Sequence, residues 1–239
     1  MHGFQQERGY EPARSASPRG QLHDGTRQFM NGVYLWMAAG VSITGVVAWG
    51  ISTRPSIFNA VWGSPLGMIL SIGTFIMAIA LQRMVPRMDR SLAAAGFFGY
   101  AAMMGVALSY VPLVYPVGNI AGVMAATVGM FAGMGVLGYI TKKDLSGMGQ
   151  FMVMALLGAI IASLVNGFLV QSVSMSLGIS ALIAAVSAGL TAYYTQAIKQ
   201  LYRARGGRGN LAVLGALVLY INFINLFLSL LRLFGGSRD

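Results

Sequence analysis

Five stretches of the chain, 28–53, 55–82, 91–141, 145–198 and 209–231, contain no Asp, Glu, Lys or Arg. A helix needs about 20 apolar residues to cross the hydrocarbon of a bilayer. The first, second and last stretches have room for one crossing each. The third and fourth, 51 and 54 residues long, have room for two. The third divides at Tyr110-Val-Pro-Leu-Val-Tyr-Pro116, where two prolines interrupt the helical pattern. The fourth divides near Gln171-Ser172-Val-Ser174, a weaker, polar break. The pattern therefore predicts seven spans, at 32–53, 66–83, 91–111, 118–141, 148–170, 174–199 and 210–234. All seven prolines (12, 18, 55, 65, 86, 112 and 116) fall in the tail or the connections, so the spans are free of proline kinks.

Composition agrees with an all-α, polytopic integral membrane protein. Apolar residues make up 56% of the 239 residues and charged residues 9%, against about 25% charged in an ordinary soluble domain. A chain this apolar is not disordered overall. With so few charges, the net charge of +10 reads as basic membrane loops, and no nucleic-acid partner is expected. The charge is one-sided. Thirteen of the sixteen Lys and Arg fall in the N-terminal tail and the second, fourth and sixth loops, whereas Arg54, Arg232 and Arg238 belong to the other side. This bias predicts a cytoplasmic N-terminus. The C-terminus lies outside if the seventh segment crosses and inside if it is re-entrant. The first 28 residues are polar and lack an apolar core, so they read as a disordered cytoplasmic tail rather than a cleaved leader. Residues 29–237 form the membrane domain. Trp36, Trp49, Trp62, Tyr110, Tyr115, Tyr139 and Tyr202 fall near span ends, as an interfacial aromatic belt requires.

Candidate chemistry is sparse. There is no Cys, and His2 and His23 both lie in the tail, so Cys-based metal sites and His catalysis within the body are excluded. No phosphate-binding loop and no H-E-x-x-H occurs, and neither an enzyme nor a cofactor is expected. The sixteen Met residues are scattered and serve as flexible apolar filler. Small residues recur at four-residue spacing at Ala121, Ala125, Gly129 and Gly133, and again at Ala181, Ala185 and Gly189. Such stripes let helices approach closely, within the bundle or in a dimer, and packing within the bundle is the simpler reading. All six acids lie outside the proposed spans. The last span nevertheless carries a polar seam, Asn222, Asn225, Ser229 and Arg232, on one helical face. The sixth span ends in a second polar cluster, Thr191, Tyr193, Tyr194, Thr195 and Gln196. Either the two clusters glue helices together by hydrogen bonds, or they face each other across a central cavity.

Four segments in these regions carry a family resemblance: Gly138-Tyr-Ile-Thr-Lys-Lys-Asp-Leu-Ser-Gly-Met-Gly149, Ile160-Ile-Ala-Ser-Leu-Val-Asn166, Thr191-Ala-Tyr-Tyr-Thr-Gln-Ala-Ile-Lys199, and Leu219-Tyr-Ile-Asn-Phe-Ile-Asn-Leu-Phe227 followed by Leu230-Leu-Arg-Leu-Phe-Gly235. Together they resemble the Bax inhibitor (TMBIM) family, most of all its bacterial YccA-like branch. The resemblance covers most of 30–237. It implies a bacterial inner-membrane protein whose seven helices have the last at the centre. It also implies a pH-sensitive calcium leak governed by a pair of aspartates, one in each of the last two spans. A further implied role is restraint of a membrane-bound protease. At the aspartate positions this chain has Tyr194 and Asn222, and Arg83 stands near a basic residue that the family pairs with its acids. Neither an amide nor a phenol supplies negative charge at physiological pH. The expectation is therefore a family fold with the acid-gated leak lost or altered, so a calcium or proton ligand is in question. The alternative is an interaction protein that modulates a membrane-bound protease. Thr195, Gln196, Asn225, Ser229 and Arg83 are the expected cavity-lining residues.

Overall fold

The computed structural model describes residues 18–206 and 210–236. The chain runs through α1 (Pro18–Ser52), α2 (Pro55–Trp62), α3 (Leu66–Met84), α4 (Arg90–Ala107), α5 (Val111–Val114), α6 (Val117–Ile140), α7 (Ser146–Val165), α8 (Val173–Arg205) and α9 (Leu211–Phe234). Seven of these segments are long and apolar enough to cross a membrane, and they coincide with the seven spans read from the charges. α1 begins at Pro18, earlier than the boundary expected at residue 29, and Phe29 is anchored by a ring stack on Tyr202 at 4.3 Å. Residues 1–17 lie outside the described residues.

The breaks have visible causes. Pro55, Pro86 and Pro112 sit at the first positions of short helical turns, where a missing amide proton costs nothing. The polar break between α7 and α8 is built by one side chain. Asn166 donates its Nδ2 to the Ser172 carbonyl and accepts from the Ser172 amide, both at 3.0 Å. The π-helical turn Asn166–Val170 closes at Gln171, which takes a left-handed φ of 53°. Ser172 then caps α8 by accepting from the Met175 amide.

α9 is the hub. Leu217, Leu219 and Tyr220 are all fully buried, although they point about 200° and 300° apart around the helix. α9 packs most extensively on α8, then on α1 and α6, with smaller contacts to α3 and α4. Tyr220 joins α9 to α1 through a 2.6 Å hydroxyl contact with Thr44, and the rings of Phe97 and Tyr100 meet it edge-on. The periphery is inverted relative to a water-soluble protein. Ile69, Ile72, Phe75, Ile76 and Ile79 of α3 are exposed, as a bilayer requires.

The helix ends sort into two faces. Phe29 meets Tyr202, Lys199 meets Tyr139, and Asn210 donates to the carbonyls of Val85 and Met88. The basic connections therefore share one end of the bundle. At the other end Trp62 donates to Ser109, and Asn119 donates to the Gly235 carbonyl. α9 thus spans the bundle from one face to the other and is not re-entrant.

One packing expectation is overturned. The α6 stripe of Ala121, Ala125, Gly129 and Gly133 is exposed, and a Cβ on Gly129 or Gly133 would meet nothing. The buried face of α6 is instead Val123, Thr127, Phe131, Gly135 and Gly138. Hydrocarbon tolerates a small apolar residue as readily as a protein neighbour does, so spacing alone did not orient the helix. In α8, Ala181 and Ala185 likewise face outward, while Gly189 is buried against Met152.

Candidate functional site

The polar seam of α9 meets α8 directly. Asn222, 2% exposed, donates its Nδ2 to the Ser187 carbonyl and to the Thr191 hydroxyl, each at 2.9 Å. Thr191 passes its own proton to the same Ser187 carbonyl at 2.9 Å. This is the gluing arrangement, and it occupies the place where a cavity between the two clusters was the other reading. Two polar atoms at the junction, Oδ1 of Asn222 and Oγ of Ser187, are buried without a hydrogen-bond partner. Leaving such groups unpaired costs about 1–3 kcal/mol each.

Tyr194 lies on the same face of α8 as Ser187 and Thr191, seven and three residues on. It is half-buried, packs against the core and tilts against Tyr193 at 5.3 Å between ring centroids. The Asn222 amide is thus spent on Ser187 and Thr191, about one turn short of Tyr194.

The remaining expected residues separate. Thr195 is fully buried, and its hydroxyl lies 3.2 Å from that of Tyr34 on α1. Gln196 holds the connection between α6 and α7. Its Oε1 accepts from the Leu145 amide, and its Nε2 donates to the carbonyls of Thr141 and Lys143. Gln196 follows Thr195 by about 100° around the helix, which turns it toward that connection. Asn225, Ser229 and Arg232 share a pocket of about 190 Å³ with Ser163 of α7. Arg83 is exposed in the last turn of α3, away from the α8–α9 junction.

Other polar contacts were not legible in the sequence. Lys199 donates to the Tyr139 carbonyl at 2.6 Å and sits 4.3 Å above the Tyr139 ring. Asp144 accepts from the hydroxyl and the amide of Ser146 at the start of α7. These bonds hold its carboxyl below the usual carboxylate range. Among the described residues, no three of His, Cys, Asp and Glu come together in a way that could hold a metal ion.

The profile of the family described as "Inhibitor of apoptosis-promoting Bax1" matches residues 26–239. This chain belongs to the Bax inhibitor family. Among its relatives, inner membrane protein YbhL of Escherichia coli (strain K12) is 36% identical, over 91% of this chain and 95% of the relative. An uncharacterised protein of Deinococcus radiodurans is 39% identical over 90% of this chain and 93% of its own length. Another, of Caulobacter vibrioides, is 35% identical over 90% and 91%. Near-complete coverage in both directions places the whole seven-span body within the Bax inhibitor family.

Proposed function

We propose that this protein resides in a bacterial inner membrane with its N-terminus in the cytoplasm, and that the acid-gated calcium leak implied by its family resemblance is lost. One observation carries the reading: at the α8–α9 junction a neutral amide, Asn222, is bonded to a backbone carbonyl and a hydroxyl of α8. A hard divalent ion needs several oxygen ligands, usually with carboxylates among them. Tyr194 and Asn222 offer none that is charged, and all six acids of the chain lie outside the spans. Purified protein in calcium-loaded proteoliposomes is expected to release calcium weakly, at a rate that hardly changes between pH 6 and 8. Strong release gated over that interval would overturn the reading.

The orientation rests on the shared basic face and has its own test. In this chain without Cys, Ser56→Cys is expected to react with a membrane-impermeant thiol reagent in intact cells, and Lys142→Cys only after lysis. The reverse pattern would invert the topology.

A second reading, docking of a membrane-bound protease, is favoured by the way Gln196 fixes the connection between α6 and α7. That connection presents the exposed Lys142 and Lys143 on a rigid base. Under this reading Gln196→Ala and Lys142→Ala/Lys143→Ala each lose a protease captured from native membranes by the unmodified chain. Capture that survives both changes would rule the surface out.

A further inference from the structure

A large cavity lies apart from the α8–α9 junction. α1 and α6 each pack on α8 and α9 but scarcely touch one another. The gap between them has a volume of about 710 Å³, with Phe223 of the central helix among its lining residues. Its walls run from Arg27 to Ser42 on α1 and from Met124 to Tyr139 on α6. Each wall is therefore about 22 Å long at 1.5 Å per residue. Apart from Ser42, which donates to the Ala38 carbonyl, and the Tyr34 hydroxyl, which meets Thr195, the lining is apolar except at one end. There Arg27 is exposed, Asn31 stands one turn on along the same face, and the Tyr139 ring carries the Lys199 ammonium 4.3 Å away. Among the described residues, no carboxylate lines the groove.

We infer that this groove is a binding site for an anionic phospholipid, with an acyl chain between α1 and α6 and the phosphate at Arg27. An apolar groove of this kind gives water too few polar partners, and in a bilayer hydrocarbon is the solvent that reaches it. Volume over length gives a mean section of about 30 Å². That admits a hydrocarbon chain, whose contacts lie at about 4 Å, and excludes a whole helix about 10–12 Å across. A transmembrane helix from a second copy therefore has room only across the mouth of the groove, not within it. The sign of the headgroup follows from the rim, where the lining residues supply a guanidinium and a nearby ammonium and, among the described residues, no carboxylate. Guanidinium is the side chain best matched to phosphate oxygens. The groove's basic end lies on the same face as the basic connections, so the lipid belongs to that leaflet.

The test uses the full chain in detergent micelles doped with phosphatidylglycerol or phosphatidylcholine. It reads retained lipid by native mass spectrometry and the thermal midpoint in parallel. Phosphatidylglycerol is expected to be retained preferentially and to raise the midpoint more. Arg27→Gln should cut that preference about fivefold, the effect of one basic residue near an anionic surface, while leaving phosphatidylcholine retention unchanged. Ala132→Trp, which fills the groove from the α6 wall, should abolish retention of both. Should that variant not fold, Ala38→Leu on the α1 wall is expected to lower retention of both. Equal retention of the two lipids, insensitive to Arg27→Gln, would overturn the inference. So would efficient disulfide dimerisation through Ala132→Cys, which would assign the groove to a second copy. Neither readout involves ion flux, so this inference and the proposed loss of the calcium leak stand or fall separately.

Discussion

Gly138→Ala is expected to destabilise the bundle severely, whereas Gly129→Leu, a far larger change on the same helix, is expected to leave its stability almost untouched. A Cβ on Gly138 would fall against the backbone carbonyl and Cα of Ala192. That neighbour is main chain in the middle of α8, so no rotamer change relieves the clash and the two helices must separate. Overpacking of a tight site costs about 1–3 kcal/mol and occasionally more, and a backbone obstacle places Gly138→Ala at or above the top of that range. The damage is not local, because α8 at this level carries Thr191, which accepts the Asn222 amide, and Thr195, which meets Tyr34. A Cβ on Gly129 meets nothing within reach. Its side chain projects outward, where surface changes stay within about 0.5 kcal/mol. Detergent unfolding midpoints of the two variants measure the difference. Equal midpoints, or a larger loss for Gly129→Leu, would show that α6 is rotated from the placement described.

These two glycines also show which level of structure the sequence carries. The spans were legible because charge is costly in hydrocarbon, so charged residues mark most of the connections, while prolines and polar residues mark the two uncharged ones. The hub was legible in part, since Asn222 and Ser229 are polar residues in an apolar helix and can only face protein or water. Rotation of the outer helices was not. In a soluble bundle the polar face of a helix identifies its back, but on α6 both faces are apolar, and Gly133 differs from Gly135 only by about 200° around the axis. The stripe at four-residue spacing was real as a pattern and faces outward. The partners of the polar clusters were also hidden. Thr195 meets Tyr34 across 161 positions, and Gln196 serves a connection more than 50 positions earlier. Nothing local to either residue encodes that pairing, which arises only when α1, α6 and α8 are assembled around α9.

Restoring both acids at the junction, as Tyr194→Asp with Asn222→Asp, is expected to introduce calcium binding and a pH-dependent flux that the unmodified chain lacks. The two positions are on facing helices, and Tyr194 shares the face of α8 that carries Ser187 and Thr191, the partners of Asn222. A single Asn222→Asp exchanges an amide donor for a carboxyl opposite the Ser187 carbonyl. That carboxyl keeps the bond only while it carries a proton, since a carbonyl cannot donate to it. The lone acid therefore stays neutral in its buried setting and brings little divalent affinity. A second carboxyl one turn away changes the chemistry, because two close acids share a proton and titrate as a pair. Their joint deprotonation supplies the charged oxygens that a hard cation needs. Removing the Tyr194 ring also opens space, so flux alone does not decide the matter. Tyr194→Asn with Asn222 retained has a similar volume and no charge, and it is the control. The expected order of pH dependence is the double acid above either single acid, with the asparagine control flat. A folded double-acid variant with flux as flat as the control's would mean that positions 194 and 222 do not form one site. In that case the distance of about one turn between Tyr194 and the Asn222 partners is too great for two carboxyls to bridge.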